Sequence, residues 1–382
     1  MEKTLKIEEF ISGHFEQGYK YKYFVPEKIN HGWSWDDTGL TVLLERASLK
    51  LGELNSLARI VPDIDLFIHL HVTKESVISS RIEGTKTNID EALLSEEEIN
   101  PETKDDWDEV RNYTASMNQS IESLKKFPVS TPLLNAAHKI LMSNVRGKHK
   151  QPGELRKSQN WIGGASLSDA VFIPPHSDMV GELMSDLENF IHNEKIEVPQ
   201  LIRIALMHYQ FETIHPYLDG NGRIGRLMIT LFLVEKKLLD KPLLYLSAFF
   251  EKNRNLYYDN LMNVRTKNDL MRWLKYFLVG IEEVSEQSVN TLKKIFELKK
   301  EIESEIMSWK KRSGSAGKLL NHLFRQPLVK IKDVQKVCNL SLKASGDLVK
   351  AFEEKKFISE ITGQSRYKIY SFKPYIDLFR NE

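Results

Sequence analysis

The sequence predicts a mostly α-helical protein that ends in a small α+β unit. Glycine and proline are sparse, with 19 and 13 of 382 residues, and apolar residues recur every three or four positions over long stretches. A chain of this length is long for one compact core, so two or three structural units are expected. With 41% hydrophobic and 28% charged residues, the composition is that of an ordinary soluble globular protein.

Periodic apolar residues predict a series of helices through the middle of the chain. These cover 133–145, 178–193 and 200–214, then the buried 227–234, and then the segments "NRNLYYDNLMNVR" (253–265) and "LMRWLKYFLVGIEEV" (270–284). One segment interrupts this pattern. In 153–176, β-branched and aromatic residues flank Gly163-Gly164, and Pro174-Pro175 ends the run, which predicts a β-hairpin.

The C-terminal third follows a different pattern. A long charged helix is predicted over 280–312, closing at "RSGSAG" (312–317), whose composition is typical of a linker. Three short helices (316–326, 329–339 and 341–356) and two strands around a glycine turn (357–372) then give the outline of a winged helix. We therefore divide the chain into an N-terminal helical region (1–128), a core (129–285), a helical linker (286–314) and a winged-helix-like domain (315–382).

Composition excludes several classes of protein. No apolar run approaches the roughly 18 residues of a membrane-spanning helix, and the first residues lack the apolar stretch of a secretory signal. A single cysteine, Cys338, rules out an internal disulfide framework and a cysteine-rich metal site. We expect a cytoplasmic protein with no membrane partner. The basic charge is concentrated at the end, where 315–382 holds 13 Lys and Arg against 7 Asp and Glu.

The stretch "HPYLDGNGRIGR", His215 to Arg226, carries the strongest chemical signal. Its three glycines have the spacing of a dinucleotide-binding fingerprint, but a helix precedes them rather than a strand, and no second strand with a terminal acid follows. A phosphate site explains more of the stretch. Gly220 and Gly222 allow the backbone N–H groups to turn inward at the start of a helix, where the dipole favours anions.

The polar residues of the same stretch extend this interpretation. Arg223 and Arg226 lie three apart near the first turn of that helix and can bind phosphates together. Asp219 beside phosphates suggests a bridging Mg²⁺, and His215 can act as a general base. The alternative is purely structural: a His-Pro helix end followed by a tight Gly-Asn-Gly turn.

This stretch resembles the signature of the Fic family, His-Pro-Phe-x-Asp/Glu-Gly-Asn-Gly-Arg-x-x-Arg, with Tyr217 in place of phenylalanine. The resemblance implies a Fic-type helical bundle and transfer of AMP from ATP to a Tyr, Thr or Ser hydroxyl of a target protein. His215 would be the base and Asp219 the Mg²⁺ ligand. The ATP-binding residues of the motif would be Asp219, Gly220, Asn221, Gly222, Arg223, Ile224, Gly225 and Arg226.

Other segments match the same family. The hairpin, taken as 153–175, resembles the family's flap, which aligns a target segment, and Tyr257 and Tyr258 resemble the paired tyrosines of the adenosine pocket. Upstream, "SSRIEGT" fits the family's inhibitory motif through Ser79, Glu83 and Gly84. The resemblance implies that Glu83 pairs with Arg226 and blocks productive ATP binding. Some such relatives also remove AMP, which the sequence leaves open.

Two functional classes remain open from the sequence. In the first, the protein is an autoinhibited AMP-transferase that modifies a target protein and itself, and it can form a homodimer. In the second, it is a DNA-binding regulator whose winged helix inserts 341–356 into the major groove, with the Fic core as a nucleotide sensor. The complete signature favours the first class.

Overall fold

The computed structural model describes residues 4–61, 63–143 and 149–380, and it confirms a mostly helical fold. Its helices are α1 (Thr38–Ile60), α2 (Asp65–Ile82), α3 (Ile89–Leu93), α4 (Lys104–Ser123), α5 (Thr131–Leu141), α6 (Val180–His192), α7 (Gln200–Ile214), α8 (Asn221–Glu235), α9 (Ser247–Lys252), α10 (Arg254–Lys267), α11 (Leu270–Met307), α12 (Ser313–Arg325), α13 (Ile331–Cys338), α14 (Leu342–Glu354) and α15 (Lys373–Arg380). Within the described ranges, none is long and apolar enough to cross a membrane. The last residues of the helix predicted over 133–145 lie outside the described residues.

The centre of the fold is the pair α7 and α8. Every residue from Leu201 to Ile214 is buried, and α8 is buried over most of its length. The predicted helix 200–214 is therefore confirmed, and the apolar segment 227–234 forms most of α8. Because α7 ends where the motif begins and α8 starts inside it, the motif is held at the middle of the helical bundle.

The N-terminal region is not wholly helical, which corrects the prediction for 1–128. Four short strands precede α1, namely β1 (Thr4–Lys6), β2 (Gly13–Gln17), β3 (Lys22–Pro26) and β4 (Gly32–Ser34). β1 pairs parallel with β4, and β2 pairs antiparallel with β3. Aromatic and lysine residues alternate along "YKYKYF", and this period of two favours a strand. The signal was present in the sequence but was shorter than the helical pattern around it.

The predicted hairpin over 153–175 is reduced to a single antiparallel bridge between Ile162 and Phe172. Gly163 and Gly164 both have positive φ, 69° and 72°, and the Asp169 carboxylate accepts from the Ala165 and Ser166 N–H groups. These contacts make a compact turn instead of a longer ladder. We keep the name flap for residues 153–175. The flap is extended at its end, where the Phe24 N–H of β3 donates to the Ile173 carbonyl at 2.9 Å.

The proposed linker is part of the packed body of the protein. The two helices predicted over 270–284 and 280–312 are one continuous helix, α11, which packs along α1. Its apolar residues within 286–314, including Val289, Leu292 and Ile302, are buried. The stretch "RSGSAG" leads into α12, because the apolar stripe of that helix already starts at Ala316 and continues through Leu319.

The C-terminal unit contains α12 to α15 and a small sheet. The sheet has the order β5 (Leu328–Val329), β7 (Tyr370–Ser371), β6 (Ser359–Glu360), with antiparallel pairing throughout. The three predicted helices are present, the two strands are much shorter than 357–372, and α15 was not predicted. Aromatic contacts join this unit to α2, since Phe324 packs edge-on to Phe67 and Phe379 packs edge-on to His71.

Candidate active site

The turn that carries His215 begins where α7 stops. His215 follows the last helical residue with a left-handed backbone, φ 51° and ψ 62°, and its N–H donates to the Phe211 carbonyl. This conformation costs a non-glycine residue roughly 1–2 kcal/mol. It turns the chain out of the helix so that the His215 side chain lines a cavity. Burial, with the charges of Arg265 and Arg156, lowers the pKa of His215 to about 3 despite the opposing effect of Glu83. The ring is therefore neutral at physiological pH.

Residues 219–222 form the start of α8. Gly220 is the N-cap with φ 74°, a left-handed conformation that glycine adopts without steric cost. The Asn221 side chain fixes the turn, accepting from the Tyr217 N–H and donating to the Tyr217 carbonyl, both at 2.8 Å. The first N–H groups of a helix have no intrahelical acceptor and bind anions. The loop thus has the geometry of a phosphate cradle.

Tyr217, which replaces the usual phenylalanine, is fully buried. Its ring stacks on His138 at 3.9 Å between centroids, and its hydroxyl donates to Asn135 Oδ1 at 2.8 Å. The extra hydroxyl therefore has the partner that a buried donor requires.

Arg226 is bound by the upstream segment carried on α2. Its Nε donates to Ser79 Oγ at 2.9 Å and its Nη2 to the Ser79 carbonyl at 2.9 Å. The same Nη2 donates to Glu83 Oε1 at 2.7 Å. The predicted pairing of Glu83 with Arg226 is thus present in the structure. Burial disfavours the charged form of Glu83, but the charge and hydrogen bond of Arg226 outweigh it and hold the pKa of Glu83 below its usual value.

The end of α2 places Glu83 at this position. Glu83 is the C-cap, and Gly84 follows with φ 106°, its N–H donating to the Arg81 carbonyl. Gly84 therefore serves as an ordinary helix-terminating glycine and contributes to the motif by ending the helix there. One third of the Glu83 side chain, 34%, remains exposed, while Arg226 is 2% exposed.

Arg223 has a different environment from Arg226. Its Nη1 donates to Glu109 Oε2 of α4 at 2.9 Å, and both side chains are buried. Its Nη2 lies 3.9 Å from Asp219 Oδ1. The two arginines predicted to bind phosphates together are thus held by carboxylates from two different helices, and the Glu109 partner was not predicted.

One cavity of about 420 Å³ brings together predicted site residues from separate parts of the chain. Its lining residues come from α2, the flap, α7, the motif and α10: Glu83, Ile162, Gly163, Val171, Phe172, Glu212, His215, Gly222, Arg226, Arg254, Tyr257, Tyr258, Leu261, Met262 and Arg265. This volume is typical of a small-molecule site. Tyr257 is buried with its hydroxyl 2.9 Å from His208 Nε2, whereas Tyr258 is 38% exposed. Both tyrosines line the cavity.

Six of the predicted ATP-binding residues do not line this cavity: Asp219, Gly220, Asn221, Arg223, Ile224 and Gly225. Ile224 is fully buried in the hydrophobic core, away from the cavity. Gly225 lies inside α8, and a Cβ there would meet Glu212 Oε1 at 2.3 Å. Gly225 thus makes room for a carboxylate and is not part of the phosphate cradle. At Gly222 a Cβ would meet Glu83 Oε1 at 2.4 Å, so this glycine permits the approach of Glu83.

Asp219 has the properties expected of a Mg²⁺ ligand shared with phosphates. Its side chain is 47% exposed, and one oxygen accepts from the Gly220 N–H at 2.6 Å. No cluster of three metal-ligating side chains occurs among the residues that the structure describes. A lone carboxylate fits Mg²⁺, which keeps several waters and takes other ligands from substrate phosphates.

Three buried charged residues near the site were not predicted. Glu75 lies on α2, four and eight residues before Ser79 and Glu83, and accepts from Tyr113 at 3.1 Å. Burial raises the pKa of Glu75 to about 7, and it raises that of Glu212 to the same value. Arg265 lines the cavity. The helical spacing of Glu75 was a usable signal, but nothing in the sequence distinguishes Arg265 from a surface arginine.

Comparison with known proteins identifies the class to which this fold and site belong. Residues 41–122 match the model of the Fic/DOC family N-terminal region, and 128–233 match that of the Fic/DOC family. The chain is a member of the Fic family. A probable protein adenylyltransferase of Aquifex aeolicus is 29% identical over 179 residues, which cover 46% of this chain and 52% of that protein. The protein adenylyltransferase Fic of Culex quinquefasciatus is 28% identical over 179 residues, covering 45% and 32%.

The fold is shared with solved structures. A Fic family protein from Desulfovibrio desulfuricans aligns with a TM-score of 0.56 at 20% identity, covering 88% of this chain and 96% of its own. A Fic-domain signaling protein from Bacteroides thetaiotaomicron aligns with 0.54 at 18% identity, covering 65% and 97%. The chain spans about half of the Aquifex relative and a third of the Culex one.

Proposed function

We propose that the protein transfers AMP from ATP to a hydroxyl side chain of a target protein, and that Glu83 holds this activity in check. The observation that carries the proposal is the single cavity lined by His215, Gly222, Arg226 and Glu83. A neutral base, a helix N-terminus and a buried guanidinium meet there, and a carboxylate from α2 covers the guanidinium. The relatives are named protein adenylyltransferases, which agrees with the proposed transfer of AMP.

The residues in and near the cavity have separate proposed roles. Tyr257, Tyr258 and Leu261 offer an aromatic and aliphatic surface for the adenosine. The phosphates lie against the N-terminus of α8, with Arg226 on the terminal phosphate. Asp219 is the residue that would hold Mg²⁺, which neutralises phosphate charge when bound.

His215 accepts the proton of the target hydroxyl, whose oxygen attacks the α-phosphorus. A bond from that oxygen to phosphorus forms, the bond to the bridging oxygen breaks, and pyrophosphate leaves. The neutral state of the His215 ring is required for this step, because a protonated ring has no free acceptor. The exposed flap residues Trp161 and Val171 provide a surface beside the cavity on which a target segment docks.

Glu83 opposes this reaction in two ways. Its carboxylate takes the Arg226 donor that the terminal phosphate needs, and its negative charge repels that phosphate. ATP then binds without the alignment that transfer requires. Removing AMP from a target is a further activity open to the same residues, with Glu83 positioning a water.

The test uses ATP labelled at either the α- or the γ-phosphate. The variant Glu83→Gly with Mg²⁺ should attach the α label to itself and to added proteins, and should attach no γ label. The double variant Glu83→Gly/His215→Ala should attach neither. Attachment of the γ label would indicate phosphorylation instead, and labelling that survives the loss of His215 would exclude this residue as the base.

DNA binding by the C-terminal unit is the alternative, and it has less support. In α14, which would be the recognition helix, Lys350 lies 3.8 Å from Glu354, and Lys355, just beyond it, lies 2.5 Å from Glu305 of α11. These pairs offset part of the basic charge. A mobility shift of mixed duplexes at low salt tests this alternative, and no shift would exclude it.

A further inference from the structure

Two buried arginines hold the backbone on either side of His215. Arg156 donates from Nε to the His215 carbonyl at 3.0 Å and from Nη2 to the Ile214 carbonyl at 3.3 Å. Arg265 donates from Nη2 to the Glu212 carbonyl at 3.0 Å. The last carbonyls of a helix have no amide donors of their own. The two guanidiniums therefore supply donors to the end of α7 and fix the point at which His215 leaves the helix.

The same two arginines also hold the flap. Arg156 Nη2 donates to the Pro175 carbonyl at 2.5 Å, and its Nη1 donates to the Ser158 carbonyl at 3.2 Å. The guanidinium carbon of Arg265 lies 4.0 Å from the centre of the Phe172 ring, close enough for a cation–π contact. The turn that carries His215 and the flap are thus joined through common side chains, so a shift of one displaces the other.

The charges of Arg156 and Arg265 act on the His215 ring. Among the described residues, no carboxylate lies within ion-pair distance of either arginine, and both are almost fully buried. The other charged residues that line the cavity with the ring are Glu83 from α2, Glu212 from α7, Arg226 from α8 and Arg254 from α10. Buried cations beside the ring disfavour a further positive charge on the histidine.

We propose that Arg156 and Arg265 are positioning residues for catalysis: they fix the His215 turn against the flap. This proposal rests on the proposed function, because the ring they position is the base of the AMP transfer. Neither residue belongs to the motif, and Arg265 lies 50 residues beyond His215 in the sequence.

A third arginine provides a matched control. Arg203, at the opposite end of α7, is 3% exposed, and its Nη2 donates to the Asn193 and Ile196 carbonyls at 3.2 and 2.9 Å. It also lies over an aromatic ring, that of Phe190, at 5.0 Å. Arg203 thus repeats the burial, the carbonyl partners and the ring contact of Arg265, but it does not line the cavity.

The experiment compares Arg265→Met, Arg265→Lys and Arg203→Met, each in the Glu83→Gly background. We expect Arg265→Met to lower kcat for transfer roughly 10- to 100-fold, the range that misplacement of a catalytic group produces. Its kcat/KM should also begin to fall at a higher pH than in the parent, because loss of the neighbouring charge raises the pKa of His215. Arg265→Lys should restore the pH profile but not kcat, since lysine keeps the charge without the fork of donors.

A second measurement is independent of activity. NMR titration of the His215 ring, assigned with His215→Ala, should show a higher pKa in Arg265→Met than in the parent and no change in Arg203→Met. If Arg265→Met matches Arg203→Met in both kcat and the titration, the proposal is wrong. If the parent transfers no AMP at all, the proposed function fails, and the titration alone still decides whether the arginines control the ring.

Discussion

Replacing Glu83 with glycine is expected to raise the rate of AMP transfer, and the structure sets the size of the effect. The Arg226 Nη2 to Glu83 Oε1 distance is 2.7 Å, with Arg226 2% and Glu83 34% exposed. Opposite charges about 4 Å apart attract by about 4 kcal/mol at an effective dielectric constant of 20. Because a third of Glu83 faces solvent, screening reduces this value. We expect a net effect of about 1–3 kcal/mol, which corresponds to a roughly 5- to 150-fold rise.

The assay is the initial rate of α-label incorporation into the protein at saturating ATP and Mg²⁺. Glu83→Gln keeps the shape and a hydrogen-bonding oxygen but removes the charge, so it should give an intermediate rate. Glu251→Gln is the matched control, because it weakens another ion pair of α2, Arg81 with Glu251 at 3.4 Å, on residues that do not line the cavity. This control should leave the rate unchanged.

Two results would refute the reasoning. One is an equal rate in the parent, Glu83→Gly and Glu251→Gln, which would mean that the ion pair does not limit transfer. The other is a rise in Glu83→Gly that persists when Arg226 is replaced with Met, because the gain should come from releasing this guanidinium to the terminal phosphate. Thermal melts provide a further check: Glu83→Gly should be less stable without ATP, since a buried charge has lost its partner.

The remaining predictions concern stability. Tyr217→Phe should cost about 0.5–1.5 kcal/mol in urea unfolding, because Asn135 loses its donor; an unchanged midpoint would contradict this. Gly225→Ala should cost about 1–3 kcal/mol, because the new Cβ meets Glu212 Oε1 at 2.3 Å, whereas Gly181→Ala, in open space, should cost nothing. Acid should destabilise the protein below about pH 6.5, because the unfolded chain then protonates histidines that the folded protein keeps neutral. Unfolding near pH 5.5 should take up about two protons, a slope of about 2.7 kcal/mol per pH unit. This balance follows from the groups with the largest shifts: the pKa values of His71, His138, His208 and His215 are lowered to about 3 or 4, and those of Glu75 and Glu212 are raised to about 7. Stability that is constant between about pH 6.5 and 5 would refute this last expectation.

The parts of the structure that follow a local pattern could be predicted from the sequence. The bounds of α7 follow from its apolar periodicity up to the His-Pro break, and the turn at Gly220 follows from its glycines. The linker prediction failed because "RSGSAG" was judged by composition, although Ala316 and Leu319 already begin the buried stripe of α12. The hairpin was overestimated because its side-chain hydrogen bonds, such as those of Asp169, compete with strand pairing.

The candidate site also contains some residues that could be predicted from the sequence and others that could not. The motif and the pairing of Glu83 with Arg226 could be inferred, because both ends of that contact belong to short recognisable patterns. Glu109, Arg156 and Arg265 could not, since each reaches the site through tertiary packing from a segment that has no pattern of its own. Burial places Arg156 and Arg265 in the electrostatic surroundings of His215, and it makes Glu109 the partner of Arg223.

The position of Glu83 at the end of α2 limits how strongly Glu83 can hold Arg226. The bonds that fix this end join residues three apart, from the Glu83 N–H to Ser80 and from the Gly84 N–H to Arg81, and helix ends open at little cost compared with a buried interior. An ion pair of about 1–3 kcal/mol leaves roughly one molecule in 5 to one in 150 released at any moment. Under the proposed mechanism, inhibition by Glu83 is incomplete, and a signal that supplies a few kcal/mol at this helical turn would release Arg226 fully.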